Sequence, residues 1–175
     1  MKSILIIYVA AIVLLAASCG GSQATSATTH TAPIDPCQLL TQEEAAAAIN
    51  EQVGAPTRED NNPDLLCTYT NSATNHSISV TSNTGKTAKH QFKTVNDIVA
   101  HDMVVDDLGD GAFISKTRGI YVVAGNAFFV IKIKDDSPQA LPVLPGARMA
   151  PGSTELPQAT RDKLIALARK AIARL

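Results

Sequence analysis

The stretch from residue 120 to residue 134 constrains this chain more than any other. Residues 120–124 and 127–134 are apolar runs that flank Gly125-Asn126, a two-residue connection whose leading glycine suits a type II′ turn. On the second arm Phe129, Ile131 and Ile133 share one side, while Lys132 and Lys134 take the other. That alternation predicts a hairpin with one face on a core and the other on solvent. The same signal recurs upstream. Leu65 to Thr70 reads as a short strand carrying Cys67 and Tyr69, and Ile78 and Val80 alternate with Ser77, Ser79 and Thr81. Met103 to Val105 is extended, and Ala112 to Ser115 starts another strand after the turn segment Asp106-Asp107-Leu108-Gly109-Asp110-Gly111.

Three segments carry helical spacing instead. Thr41 and Glu44 stand at capping-box spacing ahead of an Ala-rich helix from Gln42 to about Gln52, which Gly54 and Pro56 end. Ala88, Phe92, Val95 and Val99 form a stripe at i, i+4, i+7 and i+11. Leu164, Leu167, Ala168, Ala171 and Leu175 line a terminal helix from Thr160 to Leu175, with Arg161, Arg169 and Lys170 outside the stripe. Residues 57–64 read as a polar loop, and Asn83-Thr84-Gly85 turns the chain. Helices flanking hairpin-connected strands predict an α+β fold: a mostly antiparallel sheet of about five strands with about three helices. The length of 175 residues suits one domain, placed here at residues 35–175.

The first residues belong to no fold. Lys2 gives a short positive region, and Ile4 to Ala17 are an unbroken apolar run. As a helix that run rises only about 21 Å, short of a hydrocarbon core of roughly 30 Å, so it reads as a secretory signal over residues 1–18 rather than a span. Small residues before Cys19, and Gly20-Gly21-Ser22 after it, resemble the bacterial lipobox. That resemblance implies cleavage before Cys19 and acylation of Cys19, with two or more chains anchoring the protein stably in a bilayer. The plainer alternative is an ordinary secreted protein. Residues 19–34, small and polar, then form a flexible tether reaching roughly 20 Å from the membrane.

Cysteine arithmetic follows from that assignment. Of three cysteines, Cys19 takes lipid, leaving Cys37 and Cys67 as an even pair in an oxidising compartment. The pair reads as one disulfide. A metal or redox role would want C-x-x-C spacing or a neighbouring histidine, and neither is present.

The run Asp35-Pro36-Cys37-Gln38-Leu39-Leu40-Thr41, with Cys67-Thr68-Tyr69, Leu108-Gly109-Asp110-Gly111-Ala112-Phe113 and the terminal Leu-Ala-Arg-Lys helix, resembles a family of small bacterial cell-envelope lipoproteins of unknown function. The likeness covers roughly residues 35–175. It departs at Asp107-Leu108, where a small residue is usual, and in a longer Pro-rich excursion. The resemblance implies an extracytoplasmic, lipid-anchored domain with a Cys37–Cys67 bond, and it offers no catalytic residues to carry over.

Candidate chemistry is sparse. Asp60-Asn61-Asn62-Pro63-Asp64 places oxygens as a calcium loop does, but Leu65 stands where the turn glycine belongs and Asn71 where the bidentate glutamate belongs. Asp106, Asp107 and Asp110 could hold a metal or exchange protons, yet they also suit turn chemistry. His76, His90 and His101 stand in no zinc-protease spacing, and no G-x-S-x-G elbow occurs. The basic side of the terminal helix could lie on lipid headgroups, or its stripe could pack on the sheet.

With 15 basic against 16 acidic residues and 4% aromatic content, the composition argues against nucleic-acid binding and base or sugar stacking. No cofactor or metal is expected. The function expected is that of a non-enzymatic binding or accessory module whose partners are the bilayer, through Cys19, and an envelope protein or small ligand. The alternatives are an inhibitor or immunity-type protein and, below that, a hydrolase. The Ser137–Pro157 excursion, with Pro138, Pro142, Pro145, Arg148 and Pro151, is the candidate partner-binding loop.

Overall fold

A computed structural model describes residues 33–117, 119–135 and 156–175. The leader, Cys19, nearly all of the tether, and the loop residues Pro138, Pro142, Pro145, Arg148 and Pro151 lie outside the described residues.

The folded part begins with each residue of the D-P-C-x-L-L-T run in a structural task. Asp35 caps a short helix, α1 (Pro36–Leu39): its Oδ1 accepts from the Cys37 N–H at 3.0 Å, and its Oδ2 meets Arg58 at 2.8 Å. Pro36 fills the first helical position, where no N–H is needed. Leu39 and Leu40 are buried. Thr41 opens α2 (Gln42–Ile49) with both halves of the expected capping box, Glu44 N–H to Thr41 Oγ1 at 3.2 Å and Thr41 N–H to Glu44 Oε2 at 2.9 Å. The helix stops at Ile49, short of Gln52, because Asn50 takes the left-handed conformation (φ 58°).

The chain then forms β1 (Thr57–Asn61), β2 (Asp64–Thr70) and β3 (Ser77–Thr84), crosses through α3 (Ala88–Ile98), and returns by β4 (His101–Val104), β5 (Gly111–Ser115), β6 (Gly119–Ala124) and β7 (Ala127–Lys134). A closing helix, α4 (Gln158–Ile172), follows. All strands join one antiparallel sheet in the order β1-β2-β3-β7-β6-β5-β4. Two runs of adjacent strands therefore meet at the central β3–β7 pair, and α3 spans the sheet between them. The β6–β7 hairpin turns at Gly125-Asn126 as expected: Ala124 pairs with Ala127, and Gly125 alone of the two turn residues has positive φ (59°).

The α+β class holds, with seven strands rather than about five and four helices rather than about three among the described residues. Residues 57–64 are not a loop. β1 escaped notice because all five of its positions are exposed, so it pairs through backbone alone and shows no alternation.

One side of the sheet carries the main core. Cys67, Tyr69, Ile78, Val80, Ile114, Ile120, Val122, Phe129, Ile131 and Ile133 meet α1, α2 and α4 there. Leu164, Leu167, Ala168 and Ala171 of α4 are buried on that side, so its stripe packs on the sheet and is not free for headgroups. Burying each leucine contributes about 2 kcal/mol. Two expectations for this helix need correction. Leu175 lies past the helix end and is 47% exposed. Arg161 is not outside the packing: its guanidinium stands 3.7 Å from the buried Asp102 carboxylate. No described helix is long and apolar enough to cross a membrane.

Candidate functional site: a cleft between a helix and the second sheet face

The second face differs along its length. Phe113, Tyr121 and Val130 sit side by side across β5, β6 and β7, and the row continues through Thr81 of β3 to Leu66 of β2. α3 covers only the first part, its Ala88, Phe92, Val95 and Val99 resting on Phe113, Tyr121, Phe128 and Val130. This is the stripe that the spacing predicts. The solvent-facing side expected for β7 is thus solvent-facing at Lys132 and Lys134 but buried at Phe128 and Val130.

The few aromatic side chains are concentrated here. The Phe113 ring stacks on Tyr121 at 4.7 Å and on the His101 imidazole at 4.2 Å, and Phe92 meets Phe113 and Phe128 at 5.8 and 6.1 Å. Each such pair adds about 1 kcal/mol beyond area burial. The cluster holds α3 along its apolar stripe and leaves His90, Gln91 and Thr94 on the side that borders the open sheet.

Between α3 and the sheet lies a cleft of about 450 Å³, within the range of small-molecule sites. Its floor is Tyr121, Phe128 and Val130, one wall is Val95 with His90, Gln91 and Thr94, and the other is Thr81, Asn83 and Asp64. Lys132 stands at one end. Apolar surface dominates, and the polar groups that do face it divide into two sets. Asn83 is used internally: its amide donates to Asp64 Oδ1 at 2.9 Å and to the Pro63 carbonyl at 3.3 Å, and its Oδ1 accepts from Thr87 at 3.3 Å. Thr94 is used likewise, donating to the His90 carbonyl at 3.0 Å, and the rest are left over. Gln91 Oε1 is buried away from the open space and accepts no hydrogen bond among the described residues. Tyr121 is 7% exposed, yet its hydroxyl, the Lys132 ammonium and the Thr81 hydroxyl have no partner among the described residues. The Tyr121 ring is buried, but its hydroxyl, like the lysine and threonine groups, opens on the cleft. A bound molecule would supply what these groups lack.

Of the described site residues singled out from sequence, Asp64 and His90 line this cleft and the others fall elsewhere. Cys37 and Cys67 form the expected disulfide, with Cα atoms 5.2 Å apart, on the opposite side of the sheet. Asp106, Asp107 and Asp110 are exposed turn residues: Asp107 has φ 57°, and Asp110 accepts from the Gly125 N–H at 3.1 Å and pairs with Lys89 at 3.2 Å. The Lys89 ammonium holds the Asp110 carboxyl below the usual range. Asp60 closes an Asx turn onto the Asn62 N–H at 3.2 Å. Among the described residues no group of three or more His, Cys, Asp or Glu is placed to hold a metal.

The three histidines are separated. His90 lines the cleft, and His101 donates from Nε2 to the Asn96 carbonyl at 3.0 Å. His76 donates from Nδ1 to Glu51 at 2.6 Å, and the same carboxylate accepts from Thr74 at 2.6 Å and Asn71 at 2.8 Å. The Thr74 hydroxyl and then His76 hold Glu51 below the usual carboxylate range. Hydroxyl and imidazole both aim at the carboxylate, rather than hydroxyl at imidazole, so this cluster ties the end of α2 to the β2–β3 turn instead of building a nucleophile. A larger hollow of about 580 Å³ lies against the outer side of α2, but one helix and its trailing loop supply its whole lining.

Sequence reasoning passed over the cleft because five separated elements, β2, β3, α3, β6 and β7, supply its lining. One signal was present: along β7 the even positions change from Phe128 and Val130 to Lys132 and Lys134, marking where a cover ends. A scan against protein-family models finds no match for this chain, and searches of curated proteins and of solved structures find none either.

Proposed function

We propose that this chain is a membrane-anchored binding module of the bacterial cell envelope, working without catalysis, and that its ligand occupies the cleft between α3 and the sheet. The observation that carries the reading is the combination in that cleft of an apolar floor with polar groups that the described residues leave unpartnered, the Tyr121 and Thr81 hydroxyls and the Lys132 ammonium. The anchoring half rests on the leader, on Cys19 and on the resemblance to small envelope lipoproteins. The disulfide agrees with an oxidising compartment.

Two experiments test the halves separately. Thr94→Trp places a bulky ring in the cleft from an exposed helix position. Native mass spectrometry of the protein taken from its own envelope should find a co-purifying small molecule that this variant lacks. Equal spectra for parent and variant would remove the cleft from consideration. Cys19→Ala should move the protein from the membrane to the soluble fraction, and a variant still held in the membrane would overturn lipid anchoring.

A further inference from the structure

Resting on the reading of this cleft as a binding site, we infer that its ligand is a single-chain amphiphile with an anionic oxygen head, a carboxylate or a phosphate. The head sits at Lys132 and the chain lies toward Phe128. Phe128, Val130 and Lys132 are successive same-face positions of β7, so the cleft runs roughly 13 Å along that strand. Its character changes in order along the run, from phenyl to isopropyl to ammonium. That is the order of tail and head in an amphiphile.

The head end is built by a glycine. The point that a Cβ on Gly119 would occupy lies 3.1 Å from Lys132 Cγ and 3.3 Å from Tyr121 Cε2. The lysine stem and the tyrosine ring therefore adjoin each other across the space that Gly119 leaves empty. Both end in groups without a partner among the described residues, an ammonium and a phenol, and both can donate to one anionic oxygen. The other chargeable side chains facing the cleft are Asp64 and His90. Asp64 already accepts from Asn83 at 2.9 Å, in the row that holds Phe128, and so repels an anion from that end. Charge at the two ends thus sets one orientation.

The test is calorimetric titration of the full chain in nanodiscs, with empty nanodiscs subtracted, using octanoate, octyl phosphate, octanol and octyltrimethylammonium. Octyl chains match the length of the run. The anions should bind at least tenfold more tightly than octanol, and octyltrimethylammonium should not bind. Octanoate ahead of octyl phosphate identifies a carboxylate head, and the reverse order a phosphate. Lys132→Met should weaken the anions about tenfold or more while leaving octanol unchanged, and Lys132→Arg should restore most of the loss. Thr94→Trp should block every probe that binds. If octanol or the cationic probe binds as tightly as the anions and Thr94→Trp still blocks it, the headgroup assignment is overturned while the binding module stands. If no probe binds, both fall.

Discussion

The two faces of the sheet use their polar side chains in opposite ways. On the first face most polar groups near the core are consumed internally, Asp102 Oδ2, which meets Arg161 only at 3.7 Å, being an exception. Tyr69, 1% exposed, donates to the carbonyls of Leu40 and Cys37 at 2.5 and 3.3 Å. Asp35 serves α1 and Arg58, and Glu44 serves the capping box, Lys170 and Arg174. On the second face Tyr121 is nearly as buried, but its hydroxyl has no partner among the described residues. The contrast teaches where selection for folding ends. Residues that make the recognisable motif hold the chain together, and the residues open to a ligand carry no motif at all.

The comparison breaks if damage on the first face reaches the cleft. The largest expected effect there is loss of the Cys37–Cys67 bond. The bond links residues 30 apart in sequence, and freeing them should cost about 3.5 kcal/mol in the chain-entropy description. Urea unfolding of the Cys37→Ala, Cys67→Ala variant measures the loss, and the midpoint should fall without a change in affinity for a cleft ligand. Gly109→Ala comes next. Gly109 has φ 67°, and its Cβ would stand 2.5 Å from the Val123 carbonyl oxygen, so strain and clash together should cost about 3 kcal/mol. A thermal midpoint within a degree or two of the parent would mean that the turn before β5 is not held as described.

A smaller effect separates the faces by pH. Arg174, through its bidentate contact at 2.7 and 2.8 Å, holds Glu44 at about 2 in place of an ordinary 4.5. The folded protein therefore binds this proton more weakly than the unfolded chain does. The stability that results is complete above about 4.5 and disappears as the pH falls through about 2. Because both side chains reach solvent, the contribution should be only about 1 kcal/mol. Arg174→Met should lower stability by that amount at neutral pH, and the two proteins should converge in acid. A gap that persists at the acid end would assign the loss to packing of the Arg174 stem instead.

What the sequence made legible was whatever is written locally. The Thr41–Glu44 box, the Gly125-Asn126 turn and the α3 stripe each need only neighbours within a few residues, and the structure has all three. β1 was illegible because an exposed edge strand has no buried face to write a period of two. α1 was illegible because four residues are too few for a helical period. The cleft failed for a third reason. Tyr121, Gln91 and Lys132 come from β6, α3 and β7 and meet only through the crossover that carries α3 over the sheet. Nothing in their spacing encodes that crossing.

The smallest expected effect is the sharpest probe of the contrast. Tyr69→Phe and Tyr121→Phe delete the same atom from two nearly equally buried rings. At Tyr69 the deletion strands the Leu40 carbonyl, whose loss should cost about 1–2 kcal/mol. At Tyr121 it strands nothing among the described residues. The ring keeps its stack on Phe113 at 4.7 Å, so stability should change by less than about 0.5 kcal/mol. Ligand affinity should respond in the opposite sense, falling for Tyr121→Phe and holding for Tyr69→Phe. Equal destabilisation by the two changes would mean that the Tyr121 hydroxyl is already used in folding. In that case the second face would be as closed as the first.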